Sequence, residues 1–307
     1  MNKIALGLLA LILFFSCSHP VDKVEEDNTD SEPQLITASA ETFITELPNE
    51  ISEISGLLIW KDLFWGFNDS GGDPILFGFD STGTIQMQIE LVNAVNNDWE
   101  SITQDENYLY VGDFGNNSGS RENLCIYKIS KEDISDQAVQ QVNAEKLDIQ
   151  YASQTDFGYS VFSTAYDCEA MAEFNGKLYL FSKNWSKYIS EVYRLSPEPG
   201  SYNLEAIDTL DVNMMVTGAD ISVDKTKLAL IGYLDFHTYL WVFSNFKNDD
   251  FKSGKKVYIN LNNIDGAQTE GIYFLNNDTL LISCEKTSGF NQQVFLFNLK
   301  DVENGTH

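Results

Sequence analysis

Carboxylates recur in this chain where a fold could gather them. Asp98 and Glu100 flank Trp99, Asp167 and Glu169 flank Cys168, Glu270 follows Thr269, and Asp220 closes Thr217-Gly218-Ala219-Asp220. Each group precedes an apolar run ending in a further polar or charged residue: Asp113 after Tyr108–Gly112, Lys183 after Leu178–Ser182, Tyr233 after Leu228–Gly232 and Glu285 after Leu280–Cys284. Earlier in the chain, Glu53 precedes a run that ends at Asn68 and Asp69. Strand side chains alternate between faces with period two, so Asp98 shares a face with Glu100, and Asp167 with Glu169. In an antiparallel hairpin the start of one strand lies beside the end of the next. That pairing sets Asp98 and Glu100 near Asp113, Asp167 and Glu169 near Lys183, Glu53 near Asp69, Glu270 near Glu285 and Lys286, and Asp220 near Tyr233.

Gathered carboxylates repel one another and are costly to desolvate. Protons, basic side chains or a cation offset that cost, and an oxygen-only donor set suits Ca²⁺ or Mg²⁺. The candidate metal ligands are therefore Asp69, Asp98, Glu100, Asp113, Asp167, Glu169, Asp220, Glu270 and Glu285, with Ca²⁺ the expected ion. For hydrolysis at such an ion, Glu100, Asp113 and Glu169 are candidates as ligands or as the base for water. Lys183 and Arg121 are candidates to neutralise developing negative charge. An architectural role competes with both readings, because acids at strand starts also hydrogen-bond the backbone of a neighbouring sheet.

Other chemistries are excluded or weak. The chain contains no GxxxxGK[ST], HExxH or GxSxG motif. Of three histidines, His19 lies near the start, His307 is the last residue, and His237 stands alone between them, which rules out a histidine-cluster zinc or copper site. Cys125, Cys168 and Cys284 are odd in number and none belongs to a CxxC; they read as buried free thiols.

The elements that must position these groups are five copies of one hairpin. They open at Glu53-Ile54-Ser55-Gly56-Leu57, Asp98-Trp99-Glu100-Ser101-Ile102, Asp167-Cys168-Glu169-Ala170-Met171, Thr217-Gly218-Ala219-Asp220-Ile221 and Gln268-Thr269-Glu270-Gly271-Ile272. Aligned on positions 55, 100, 169, 220 and 270, the copies step by 45, 69, 51 and 50 residues, near the period of a four-stranded propeller blade except for the 69-residue step, which holds an insertion over Gln150–Tyr166. Third strands are expected at 75–79, 124–129, 191–195, 239–243 and 294–299, and fourth strands at 85–91, 146–151, 204–210 and 256–261. The fifth copy has no fourth strand of its own, and Thr42–Leu47 can supply one from the N-terminus, removing a free edge. The expected fold is all-β: a β-propeller of five blades with an N-terminal strand closing the last, or of six if Gln150–Tyr166 hides a degenerate blade. Trp99, Trp185 and Phe290 lie near the expected rim, either packed between blades or placed to stack on a sugar or peptide.

The N-terminus carries a different signal. Lys3 is followed by twelve apolar residues, Ile4–Phe15, then Ser16-Cys17. The run is too short to span a membrane and suits a signal-peptide core. Phe14-Phe15-Ser16-Cys17 resembles the lipobox of bacterial lipoproteins, whose cysteine is acylated, though Phe14 stands where leucine is usual. The expected organisation is a signal peptide over 1–17 with Cys17 lipidated, an acidic flexible tether over 18–41, the propeller over 42–302 and a tail over 303–307. The expected location is the bacterial cell envelope, as an outer-membrane lipoprotein facing the periplasm or the exterior. The formal charge of −27 repels nucleic acid and favours cations or basic partners.

The segments EISGL, NDSG, DWE, DFGNN with Arg121, DCEAM, TGAD, and TEGI with Glu285 resemble secreted propellers of the phytase-like and SdiA-regulated kind, over about residues 50–299. That resemblance implies a cation site near the channel mouth, and phosphoester or ester hydrolysis as one activity of such a scaffold. Two functional expectations result. One is a cell-envelope binding module for a small-molecule, glycan or protein ligand. The other is a Ca²⁺-dependent, phytase-like hydrolase.

Overall fold

Alternating apolar and polar residues, broken by Gly, Asn and Asp turns, form short strands throughout the computed structural model, which describes residues 33–303. The signal segment, Cys17 and most of the expected tether lie outside the described residues. Five separate sheets form. From the axis outward, the first contains Ile54–Trp60, Leu63–Asn68, Ile75–Phe79 and Ile85–Leu91. The second contains Trp99–Gln104, Tyr108–Asp113, Cys125–Ser130 and Glu145–Tyr151. The third contains Asp167–Phe174, Lys177–Lys183, Ser190–Leu195 and Asp208–Leu210. The fourth contains Met215–Ile221, Lys227–Leu234, His237–Ser244 and Lys255–Leu261. The fifth contains Thr269–Phe274, Thr279–Cys284 and Gln293–Asn298. The innermost strands touch in sequence order, and the last touches the first, which closes a ring.

Glu41–Ile44 pairs antiparallel with Gln293–Asn298 and completes the fifth sheet from the N-terminus, as expected. A buried clasp reinforces the join: the Leu47 amide donates to the Gln292 carbonyl (2.8 Å) and Gln292 Nε2 donates to the Leu47 carbonyl (2.7 Å). Residues 152–166 contain no strand, so the count is five and the six-blade alternative is excluded. The three described cysteines are free and buried.

Three short strands were not foreseen. Leu35–Ala38 runs parallel to Lys255–Leu261, Val139–Val142 to Ile85–Leu91, and Gly200–Leu204 to Glu145–Tyr151. Each lies in the chain just before a strand of the following sheet, and each adds an edge to the sheet before. The strand Leu35–Ala38 therefore lies within the segment read as tether. The expected strand over 204–210 divides in two, Gly200–Leu204 joining the second sheet and Asp208–Leu210 the third. Beyond the last strand, Leu299–Glu303 forms a short helix.

Near its start every innermost strand slips register. The slip falls at Glu100, Glu169, Thr217 and Glu270, and spans Gly56 and Leu57 in the first sheet. Such bulges re-aim a side chain. A small residue follows the four acid or threonine positions: Ser101, Ala170, Gly218 and Gly271. Convergence requires it, because a Cβ at Gly271 would lie 2.7 Å from the Gly56 carbonyl carbon and 2.4 Å from Ser283 Oγ. Side-chain hydroxyls knit neighbouring inner strands together. Ser55 Oγ donates to the Glu100 carbonyl (2.9 Å), Ser101 Oγ accepts from the Met171 amide (3.0 Å), and Thr217 Oγ1 donates to the Thr269 carbonyl (2.5 Å).

The bulges correct the expected alignment. The fourth-sheet counterpart of Glu100, Glu169 and Glu270 is Thr217, three residues before Asp220. Asp220 instead pairs with Ala229, near the turn of its hairpin. It accepts a hydrogen bond from the Phe274 amide (2.7 Å) and lines a cavity of about 180 Å³ with Gln104, Glu173 and Tyr273. That cavity is formed by the far ends of the inner strands, so Asp220 does not join the other candidate ligands.

Gly271→Ala should destabilise the fold by about 1–3 kcal/mol, the usual cost of overpacking. Urea denaturation measures this, and an unchanged midpoint would contradict the close approach at the axis.

Candidate metal centre

The bulges and the ends of the second strands meet at one mouth of the ring. Asp69, Asp98 and Glu100 each offer a carboxylate oxygen there, and these atoms lie within 4.8 Å of one another. Asp69 follows the second strand of the first sheet. Asp98 and Glu100 straddle the start of the second sheet, while Trp99 between them is buried on the opposite face, which settles its role as packing. Gly115 lies hard against the group: a Cβ there would come within 2.1 Å of Glu100 Oε1 and 2.5 Å of Asp98 Oδ2. Only glycine lets the 114–116 backbone pass so close.

Lys183 enters from the third sheet and is buried. Its Nζ donates to Glu169 Oε1 (2.5 Å) and to the Tyr233 hydroxyl (3.2 Å), and it lies 4.6 Å from the Trp185 ring centroid. Burial by itself would lower the Lys183 pKa, but Glu169, Tyr233, Asp167 and Glu270 outweigh it and hold the ammonium well above the usual lysine value. Two buried carboxylate oxygens, Asp69 Oδ1 and Glu169 Oε2, have no hydrogen-bond partner. Native proteins rarely leave such atoms unsatisfied.

Burial and mutual repulsion raise these acids together. Asp69 is pushed up to about 6 by desolvation, with Glu53 adding to it, and Asp98 to about 7 by desolvation and then Asp69. Glu285 reaches about 8 through desolvation, Asp69, Glu53 and Glu169. Glu100, Glu169 and Glu270 also lie well above the ordinary carboxylate range, with burial the first cause in each. Six carboxylates thus share one mouth with one buried ammonium.

The remaining candidates are committed elsewhere. Asp113 is fully buried and ion-paired to Arg121 Nη2 (2.8 Å), and it accepts from Asn97 Nδ2 (2.7 Å) and the Asp98 amide (3.0 Å). Arg121 also donates to the Gly115 carbonyl (2.7 Å), so it braces the loop carrying Gly115. Asp167 accepts from the Asn116 amide (2.6 Å) and from Trp185 Nε1 (2.7 Å). These two acids and Arg121 shape the mouth. Phe290 packs against the core of the fourth and fifth sheets, and His237 pairs with Asp265 (2.7 Å). Gly115 lies in the DFGNN segment that stands out in the sequence, and its missing side chain permits this close approach.

A closed ring of five sheets around an axis, with polar groups gathered at one mouth, defines a β-propeller. No protein-family model matches the chain, and no curated protein matches it. Several solved structures are similar to it over most of the chain. A nidogen/laminin complex is similar over 80% of this chain and 76% of that one, with 10% identity and a TM-score of 0.46. The hydrazine synthase of Kuenenia stuttgartiensis is similar over 85% and 80%, with 12% identity and a TM-score of 0.47. A protein of unknown function from Bacteroides caccae is similar over 80% and 78%, with 10% identity and a TM-score of 0.46.

Carboxyl groups whose folded pKa is raised stabilise the fold below their unfolded pKa of about 4, and that stability is lost as pH rises through the folded value. With metal removed, stability should therefore decline between about pH 4 and pH 8, the range set by Asp69, Asp98 and Glu285. Chemical denaturation across that range in EDTA tests this, and a curve rising steadily to pH 8 would contradict it.

Proposed function

We propose that the propeller mouth binds a divalent cation, Ca²⁺ by its oxygen-only donors, and that the protein acts as a ligand-binding module of the cell envelope. One observation carries this reading: the convergence of Asp69, Asp98 and Glu100 oxygens within 4.8 Å. The unpartnered Asp69 Oδ1 supports it, as does the raised pKa of all three acids, since a cation relieves the repulsion that raises them. Bound Ca²⁺ would tie the three acids together and could take a hydroxyl or carbonyl oxygen of a ligand as a further donor.

Ca²⁺ at a hundredfold excess over its dissociation constant should add about 2.7 kcal/mol of stability. EDTA should remove the gain, and Glu100→Gln should abolish it while the metal-free melting temperature holds or rises. Ca²⁺ displaces protons from these groups, so its affinity should fall as pH drops from 8 to 6. Absence of any calorimetric or melting response at millimolar Ca²⁺ would eliminate the site.

Anchoring belongs to the same proposal. Lys3, the apolar run Ile4–Phe15 and Cys17 support a lipid-modified N-terminus in a bacterial envelope. Cys17→Ser should abolish incorporation of labelled palmitate and release the protein from the membrane fraction; labelling that persists in the variant refutes the assignment.

A second reading has one observation in its favour. Glu169 is buried beside Lys183 with Oε2 unpartnered and its pKa raised. A carboxyl so placed can exchange a proton with a water or leaving group during metal-assisted ester or phosphoester hydrolysis. Chelator-sensitive turnover of generic phosphoesters that disappears in Glu169→Gln would support the hydrolase, and absence of turnover removes it.

A further inference from the structure

The 152–166 loop packs beside the 117–119 turn and Trp185 and turns apolar side chains to solvent. Tyr159 is 77% exposed and Phe162 61% exposed, with Phe157 and Val161 exposed between and before them. The loop is pinned rather than free. Ser160 and Phe162 donate their amides to the Ser118 and Asn117 carbonyls (2.9 and 3.0 Å), and Gln154 Nε2 donates to the Gly119 carbonyl (2.8 Å). Phe162 is held at φ 56°, a left-handed conformation that bulky residues avoid. Its ring still packs on Trp185, with centroids 4.7 Å apart. Trp185 in turn donates to Asp167 and lies against the Lys183 ammonium. The exposed aromatic surface is thus continuous with the acidic mouth.

A second loop repeats the feature. Tyr233, which accepts from Lys183, is followed three residues later by Phe236, which is 84% exposed and also at positive φ, 68°. Two loops, one packed on Trp185 and one following Tyr233, therefore hold aromatic rings in solvent. Exposed apolar patches mark interaction sites.

We propose that this face is a docking surface for a basic polypeptide segment, with aromatic or aliphatic side chains on the loops and a lysine or arginine directed at the mouth. Charge complementarity selects this occupant. Carboxyl groups outnumber cations there, eight against Lys183 and Arg121 once Asp113 and Asp167 are counted, Glu169 Oε2 is buried and unpartnered, and the chain carries −27 overall. An anionic peptide or an anionic lipid surface meets repulsion from the same field. The proposal goes beyond the cation site and does not require a bound metal.

Fluorescence anisotropy with the full-length chain tests it, using a labelled peptide of alternating lysine and phenylalanine. Two control peptides replace lysine by glutamate or phenylalanine by serine, and vesicles of phosphatidylglycerol and phosphatidylcholine form a third arm. The lysine–phenylalanine peptide should bind, the glutamate peptide should not, and the serine peptide should bind at least tenfold more weakly. Tyr159→Ser with Phe162→Ser should weaken binding at least tenfold, leaving the Ca²⁺ response unchanged. If Phe162→Ser lowers the melting temperature, Tyr159→Ser alone carries the comparison, since that side chain projects into solvent. Equal binding of lysine and glutamate peptides, no binding of the first peptide, or unchanged binding by the variants overturns the proposal. Vesicle binding that depends on Tyr159 and Phe162 without peptide binding would assign the face to a membrane instead. Peptide binding without a Ca²⁺ response would sink the cation site alone.

Discussion

Five strands must approach one axis, and that crowding governs the rest of the molecule. Side chains cannot fill the centre at every position, so Ser101, Ala170, Gly218 and Gly271 take the points of nearest approach. The strands gain room by bulging one residue earlier. At three of those bulges the displaced residue is a glutamate, Glu100, Glu169 or Glu270. The same geometry that closes the ring thus forces acids from remote parts of the chain into one confined space.

Confinement then sets the chemistry. The acids are too buried to be well hydrated and too numerous for Lys183 to neutralise. Arg121 is engaged with Asp113 and with the loop backbone, and it eases the charge of Asp98 only in part. Protons make up part of the deficit, which is why the pKa values climb with burial. A divalent ion is the more effective remedy near neutral pH, because it charges the site without adding bulk. Thr217, a hydroxyl at the fourth bulge, keeps the cluster from being larger still.

Much of this was legible in the chain. Hairpins recurring at blade-like spacing gave the ring and its closure by an N-terminal strand, and hairpin geometry gathered Asp98, Glu100, Glu169, Lys183, Glu270 and Glu285. Asp220 was misplaced because TGAD was aligned on its acid, whereas the backbone aligns on the small residue after the bulge. The strands at Leu35–Ala38, Val139–Val142 and Gly200–Leu204 were invisible because a four- or five-residue edge needs no regular alternation. Asp113 and Asp167 could not be told from ligands, since only three-dimensional contacts reveal their amide and guanidinium partners. The aromatic loop offered no periodicity, and its meaning depends on what it lies beside.

The added edge strands change how the molecule can come apart. Each is continuous in the chain with the sheet after it yet bonded to the sheet before. Tension on one sheet is therefore transmitted to its predecessor through a parallel seam, and adjoining sheets share their mechanical fate. At the N-terminus the effect is greatest: Leu35–Ala38 and Glu41–Ile44 seal the fourth and fifth sheets within ten residues. Removal of that one stretch would leave two raw edges at once, so ten residues hold two sheets closed together.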